Sequence, residues 1–111
     1  MALDIRVRLE PEKAAEMIDH GIVDGSITGE LIDRHVMQGE NGKLCIVSIY
    51  EKHYYRAGNR LTLTVIIDNM ANVTNVHCVS GGGGEGFFKF DWGASGSFES
   101  CVEQALNDYR I

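Results

Sequence analysis

The chain has 111 residues, 44% of them apolar and 23% charged, with a formal net charge of −6. That length and mixture describe one soluble domain around one core, and no apolar run approaches the roughly 20 residues of a membrane helix. The best run, Leu61 to Ile67, is broken by Thr62 and Thr64.

Sixteen acidic against ten basic residues oppose a phosphate backbone, so nucleic acid is not an expected partner, and neither is a membrane. The opening residues MALDIRVRLE alternate charged with apolar side chains instead of forming the continuous apolar segment of a secretory signal. Cys45, Cys78 and Cys101 are odd in number, far apart and without a C-x-x-C pair, which argues against a disulfide framework and a zinc ribbon. A cytoplasmic chain with reduced thiols is the expectation.

In chain order, Leu3, Ile5, Val7 and Leu9 alternate with Asp4, Arg6, Arg8 and Glu10, the period of a half-buried strand. Pro11 suits the first position of a helix and Glu12 the positive end of its dipole. Ala14, Met17, Ile18 and Ile22 recur at helical spacing, so a helix is expected from Pro11, ending near Gly21 or Gly25. Leu31, Ile32, Val36 and Met37 fit a short helix or an edge strand. Asn41-Gly42 decides for the strand, Leu31 to Glu40, because both residues suit the positive φ of a type I′ hairpin turn. Lys43 to Tyr55 and Arg60 to Asp68 read as the next two strands, joined through Ala57-Gly58-Asn59. Val73 to Val79 and Phe87 to Trp92 read as two more. A C-terminal helix follows, with Ser97 as its N-cap and Phe98, Cys101, Val102, Ala105, Leu106 and Tyr109 as its apolar stripe. The expected fold is a single α+β domain over residues 1–111: strand, helix, an antiparallel meander of about five strands, helix. One sheet packs on two helices, loosely like a helix-grip arrangement.

The glycine run Ser80 to Gly86 joins two expected strands. Phosphate-binding glycine loops open onto a helix, whereas this run leads into Phe87-Phe88, so neither the dinucleotide nor the Walker pattern is met. A flexible connection or a bulge between twisted strands is the simpler account. The functional one is a flap over a ligand site formed by Gly82, Gly83, Gly84, Glu85 and Gly86, with Trp92 as an apolar wall and Ser97 at a helix N-terminus. The four histidines, His20, His35, His53 and His77, lack metal-binding spacing. A metal or Cys-His site would need assembly across strands, from His53 and His77 with Glu51, from Cys78 with His53, or from Cys45 with His77. Lys52, Tyr54, Tyr55, Arg56 and Arg60 gather at one hairpin end, where solvated charges are the ordinary reading. No catalytic residue, metal or cofactor is nominated.

The segments Tyr50-Glu51-Lys52-His53-Tyr54-Tyr55-Arg56-Ala57-Gly58-Asn59-Arg60 and Leu61-Thr62-Leu63-Thr64-Val65 carry a resemblance, as do Gly81 to Gly84 followed by Phe88-Lys89-Phe90-Asp91-Trp92-Gly93-Ala94. Over nearly the whole chain the protein resembles a family of small proteins, a domain of unknown function, from clostridia-like Gram-positive bacteria. The resemblance implies a bacterial, cytosolic, single-domain protein and no catalytic residue. With no catalytic constellation, and with strands such as Lys43 to Tyr55 apolar on both faces, the expected function is a small non-enzymatic binding module, a homo-oligomer or the partner of another protein. The alternative is a small-molecule site or enzyme between the sheet and the C-terminal helix, beneath Gly81 to Gly86.

Overall fold

The computed structural model describes residues 2–25, 28–54, 59–82 and 98–111. Strand β1 covers Ala2–Val7 and is followed by helix α1, Pro11–Asp19. Strands β2 (Glu30–Gln38), β3 (Leu44–Tyr54), β4 (Asn59–Asp68) and β5 (Thr74–Gly82) come next, and helix α2 occupies 98–106. The sheet has five strands in the order β1-β5-β4-β3-β2, every neighbouring pair antiparallel. This is the expected α+β arrangement. The expected strand Phe87 to Trp92 lies outside the described residues.

Alternation makes the core. The registers put Leu3, Ile5 and Val7 on one face with Val76 and Cys78, with Leu61, Leu63, Val65 and Ile67, and with Leu44, Ile46, Ser48 and Tyr50. Ala14, Ala15 and Ile18 of α1 and Phe98, Val102 and Leu106 of α2 complete one buried cluster with that face. Phe98, Val102 and Leu106, at helical spacing, are each fully buried, which is the stripe the sequence predicts.

Three boundaries bear comparison with expectation. The first helix takes the later of its two expected ends: His20–Asp24 continues it past Gly21 as a wide π-helical turn that closes at Gly25. Gly21 serves close packing instead, since a Cβ there would lie 3.1 Å from the Cβ of Ala105 on α2. The second boundary is at the hairpin between β2 and β3. Asn41 (φ 59°, ψ 35°) and Gly42 (φ 77°) form the type I′ turn, closed by Lys43 N–H donating to the Glu40 carbonyl at 3.2 Å. β2 nevertheless ends at Gln38 rather than Glu40, because Gly39 and Glu40 together face Lys43 in a bulge. Third, β5 runs on to Gly82, since Ser80, Gly81 and Gly82 continue the ladder against Leu63, Thr62 and Leu61.

Candidate functional site

The two sheet edges are treated differently. Beside β1, the C-terminal residues form a short antiparallel bridge: Arg8 N–H donates to the Tyr109 carbonyl at 2.8 Å and Ile111 N–H to the Arg6 carbonyl at 2.9 Å. That edge is covered at its Arg6–Val7 end. β2, at the other end, is nine residues long and exposed along almost its whole length, on both faces. Leu31, Ile32, Val36 and Met37 expose 36%, 50%, 46% and 45% of their surface. α1 packs chiefly on β3 and β4 and leaves most of β2 uncovered.

The sheet face turned away from the core cluster is also apolar at its centre. Cys45, Val47 and Ile49 of β3 lie there beside Thr64 and Ile66 of β4, with Val79 of β5 beyond. All but Val79 are half-buried by their neighbours in the sheet, and Val79 is exposed. Around them sit Asp4, His77 and Asn75 at one side, where Asn75 Nδ2 donates to Asp4 Oδ1 at 3.1 Å, and Glu51 and Arg60 at the other, paired at 3.3 Å.

A polar cluster ties β2 to the helix layer. Arg34 donates from Nη1 to Asp19 Oδ2 at 2.9 Å and from Nη2 to Asp19 Oδ1 at 2.6 Å, a bidentate pair. Its Nε donates to Ser48 Oγ at 2.9 Å, and its Nη2 lies 3.2 Å from the Tyr50 oxygen. The Tyr50 hydroxyl in turn donates to Asp19 Oδ1. Ser48 and Tyr50 are fully buried, whereas Arg34 and Asp19 keep just over a quarter of their side-chain surface in water. Burial, then the Asp19 carboxylate, push the Tyr50 phenol well above its ordinary range, and the bond to Asp19 pushes the Arg34 guanidinium up. Every member is partnered within the cluster, so its chemistry is spent on joining α1 to β2 and β3. Sequence reading missed these four residues. The signal was present in β3, where alternation puts the hydroxyls of Ser48 and Tyr50 on the same face as Leu44 and Ile46.

A second buried group is Glu99 on α2, 5% exposed, whose two carboxylate oxygens lack a hydrogen-bond partner of ordinary geometry. Burial raises its pKa, against the lowering effect of the Ser80 hydroxyl and amide. Cys78, inward-facing on β5, feels both effects: burial first, then the Glu99 charge, push its thiol up to about 12. This is the reverse of what activates a nucleophilic thiol.

A cleft of about 490 Å³ opens at the end of the sheet that carries the β2–β3 and β4–β5 turns, lined by Arg8, Glu10, Lys43, Asn69, Asn72 and Ile111 among others. Its polar groups serve the turns. Lys43 Nζ donates to the Asn69 carbonyl at 3.3 Å and to Asn72 Oδ1, while Asn69 accepts from Leu44 N–H at 2.8 Å and donates to the Gly42 carbonyl at 3.1 Å.

Of the residues nominated from sequence, Gly82 is described and sits at the opposite end of the sheet from this cleft. Its φ is +105°, and a Cβ would stand 2.9 Å from the Arg60 carbonyl oxygen, so close strand approach and positive φ together demand glycine. Gly83, Gly84, Glu85, Gly86, Trp92 and Ser97 lie outside the described residues. The weighed cross-strand pairs are not brought together. Cys78 faces the core and His53 faces away from it. Cys45 and His77 share a face but stand on β3 and β5, with β4 between them. His53 and His77 lie at different levels of the sheet, opposite Arg60 and Ile66. Among the described residues no helix is long and apolar enough to cross a membrane. None of the three cysteines is in a disulfide.

Residues 1–110 match the model of the Family of unknown function (DUF6054), and the chain belongs to that family. No curated protein matches it.

Proposed function

We propose that this member of the family is a small non-enzymatic interaction module that self-associates in the bacterial cytosol. The observation that supports it is a sheet apolar on both faces, with the helices α1 and α2 packed on one of them. Val47, Ile49 and Ile66 at the centre of the other face, with Met37 of β2 beside Cys45 at its rim, make a surface of the kind that marks association. The polar clusters described above saturate themselves, which suits a scaffold more than a reaction centre. A reducing compartment suits three cysteines outside any disulfide.

Sedimentation velocity across micromolar concentrations tests the reading. A dimer or larger assembly is expected, and a strict monomer throughout would end it. One observation favours a second reading, a small-molecule site between the sheet and α2 near Gly82: the buried Glu99 carboxylate, whose oxygens lack a hydrogen-bond partner of ordinary geometry among the described residues, is a group a ligand donor would satisfy. Native mass spectrometry separates the two, because a ligand adds mass to each subunit and a bare assembly does not.

A further inference from the structure

We infer that the association is edge to edge: β2 of one copy pairs antiparallel with β2 of a second copy about a two-fold axis at Arg34, making one continuous sheet. This rests on the self-association proposed above. The asymmetry of the edges carries it. The β1 edge is covered at its Arg6–Val7 end by the chain's own C-terminal residues. β2 offers nine residues with no proline and no lysine, and no backbone partner on its outer side among the described residues. Proline and lysine are common guards of an edge; the guards β2 does carry are the bulge between Leu31 and Asp33 and the carboxylates of Glu30 and Asp33.

The one basic side chain with a full charge on β2 does not guard it. Arg34 leans toward β3, held by Ser48, Tyr50 and Asp19, so its charge is neutralised and turned away from the open edge.

Charge selects the register. Opposed side chains in an antiparallel pair share a face, so a two-fold axis must fall on a residue of β2. Past the irregularity between Leu31 and Asp33, the residues Asp33, His35 and Met37 face away from the core cluster, and Arg34, Val36 and Gln38 face toward it. An axis at Asp33 sets two carboxylates against each other. An axis at His35 sets two imidazoles together and leaves Asp33 against Met37. An axis at Arg34 sets each Asp33 against His35 of the other copy and brings Ile32, at the bulge, toward Val36 of the other copy. The two arginines on the axis do not collide, since each is drawn down to its own Asp19.

The test uses the full chain. Wild type, Ile32→Lys and Val36→Lys are sedimented at one concentration, with far-ultraviolet circular dichroism and a thermal melt as fold controls. In parallel, Asp33→Cys and His35→Cys proteins are oxidised separately and mixed, with oxidised wild type setting the background from the native cysteines. The expected result is a wild-type dimer, monomeric lysine variants that keep the fold, and a mixed disulfide several-fold more abundant than either homodimer. A dimer that survives folded lysine variants overturns the edge pairing while self-association stands. A monomeric wild type overturns both. Dominant homodimers of either cysteine variant overturn the axis at Arg34, and this arm decides the matter should the lysine variants fail to fold.

Discussion

Replacing Arg34 with methionine removes the guanidinium while keeping a stem of similar length, and the structure sets the size of the loss. The bidentate pair to Asp19 sits between two regimes, with side chains 28% and 29% exposed. Exposed pairs contribute about 0–1 kcal/mol, and breaking a fully buried pair costs about 3–5 kcal/mol. With water still reaching Asp19, we expect about 2 kcal/mol. Tyr50→Phe deletes one fully buried hydroxyl that donates to Asp19 and accepts from Arg34, while those two keep each other, so about 1.5 kcal/mol follows. Because the three groups form one network, the double variant should cost about 1 kcal/mol less than the sum of the singles. For a chain of this size 1 kcal/mol moves Tm by roughly 4–6 °C, so Arg34→Met should melt about 8–12 °C lower. Urea and thermal melts of the four proteins, at a concentration low enough to keep association out of the measurement, give the cycle. Additivity within about 0.3 kcal/mol would refute the claim that the cluster acts as a unit.

Further outcomes follow from two buried groups and one glycine. Cys78 should resist a thiol reagent in the native protein and label only on unfolding, as read by intact mass at neutral pH. Its raised pKa also means the unfolded thiol loses its proton first, so stability should fall as pH rises from about 9 toward about 12, and Cys78→Ala should flatten that loss. Glu99 carries a raised pKa with the same sign of linkage. Its cost is absent below the ordinary carboxylate value near 4.5 and fully present once pH exceeds the folded value, so Glu99→Gln should raise Tm at pH 7 and leave it unchanged near pH 4. Equal gains at both pH values would remove the charge from the explanation. Gly82→Ala should cost about 1–3 kcal/mol through positive φ and the Arg60 carbonyl contact, and an unchanged melt would show that β5 relaxes there.

Local signals with short range were readable from sequence. Asn41-Gly42 determines a turn by itself, because positive φ at two successive residues suits few other pairs, and the two-residue alternation of Leu61 to Ile67 determines which side chains face inward. Gly21 and Gly25 could not be told apart as helix ends for the opposite reason. A glycine after an apolar periodic stretch resembles a helix end, yet the role of Gly21 depends on Ala105, 84 positions away, which no local pattern reports. The Asp19-Arg34-Ser48-Tyr50 cluster was hidden likewise, assembled from a helix and two strands whose order in the sheet is a tertiary fact. Alternation offered half of it, since two hydroxyls on an inward face require partners, but not the arginine on the neighbouring strand that supplies them. The exposure of β2 was legible only in part. Leu31, Ile32, Val36 and Met37 read equally as core or as surface until the sheet order placed their strand at an edge.

Arg34 therefore belongs to two arguments at once, and one variant separates them. An arginine that guarded the β2 edge would, on replacement by methionine, leave stability nearly intact and tighten association by removing a charge from the contact. An arginine committed to Asp19 would lower the melting temperature of the monomer, because the carboxylate loses its bidentate partner while Tyr50 and Ser48 lose theirs. The geometry, with the guanidinium leaning inward, demands the second result for stability. It also predicts that the dimer survives, since the charge removed never faced the open edge. A melt that drops by about 8–12 °C beside an undiminished dimer in sedimentation is the joint outcome. Loss of the dimer with an unchanged melt would mean that Arg34 makes its essential contact with the second copy and not with Asp19.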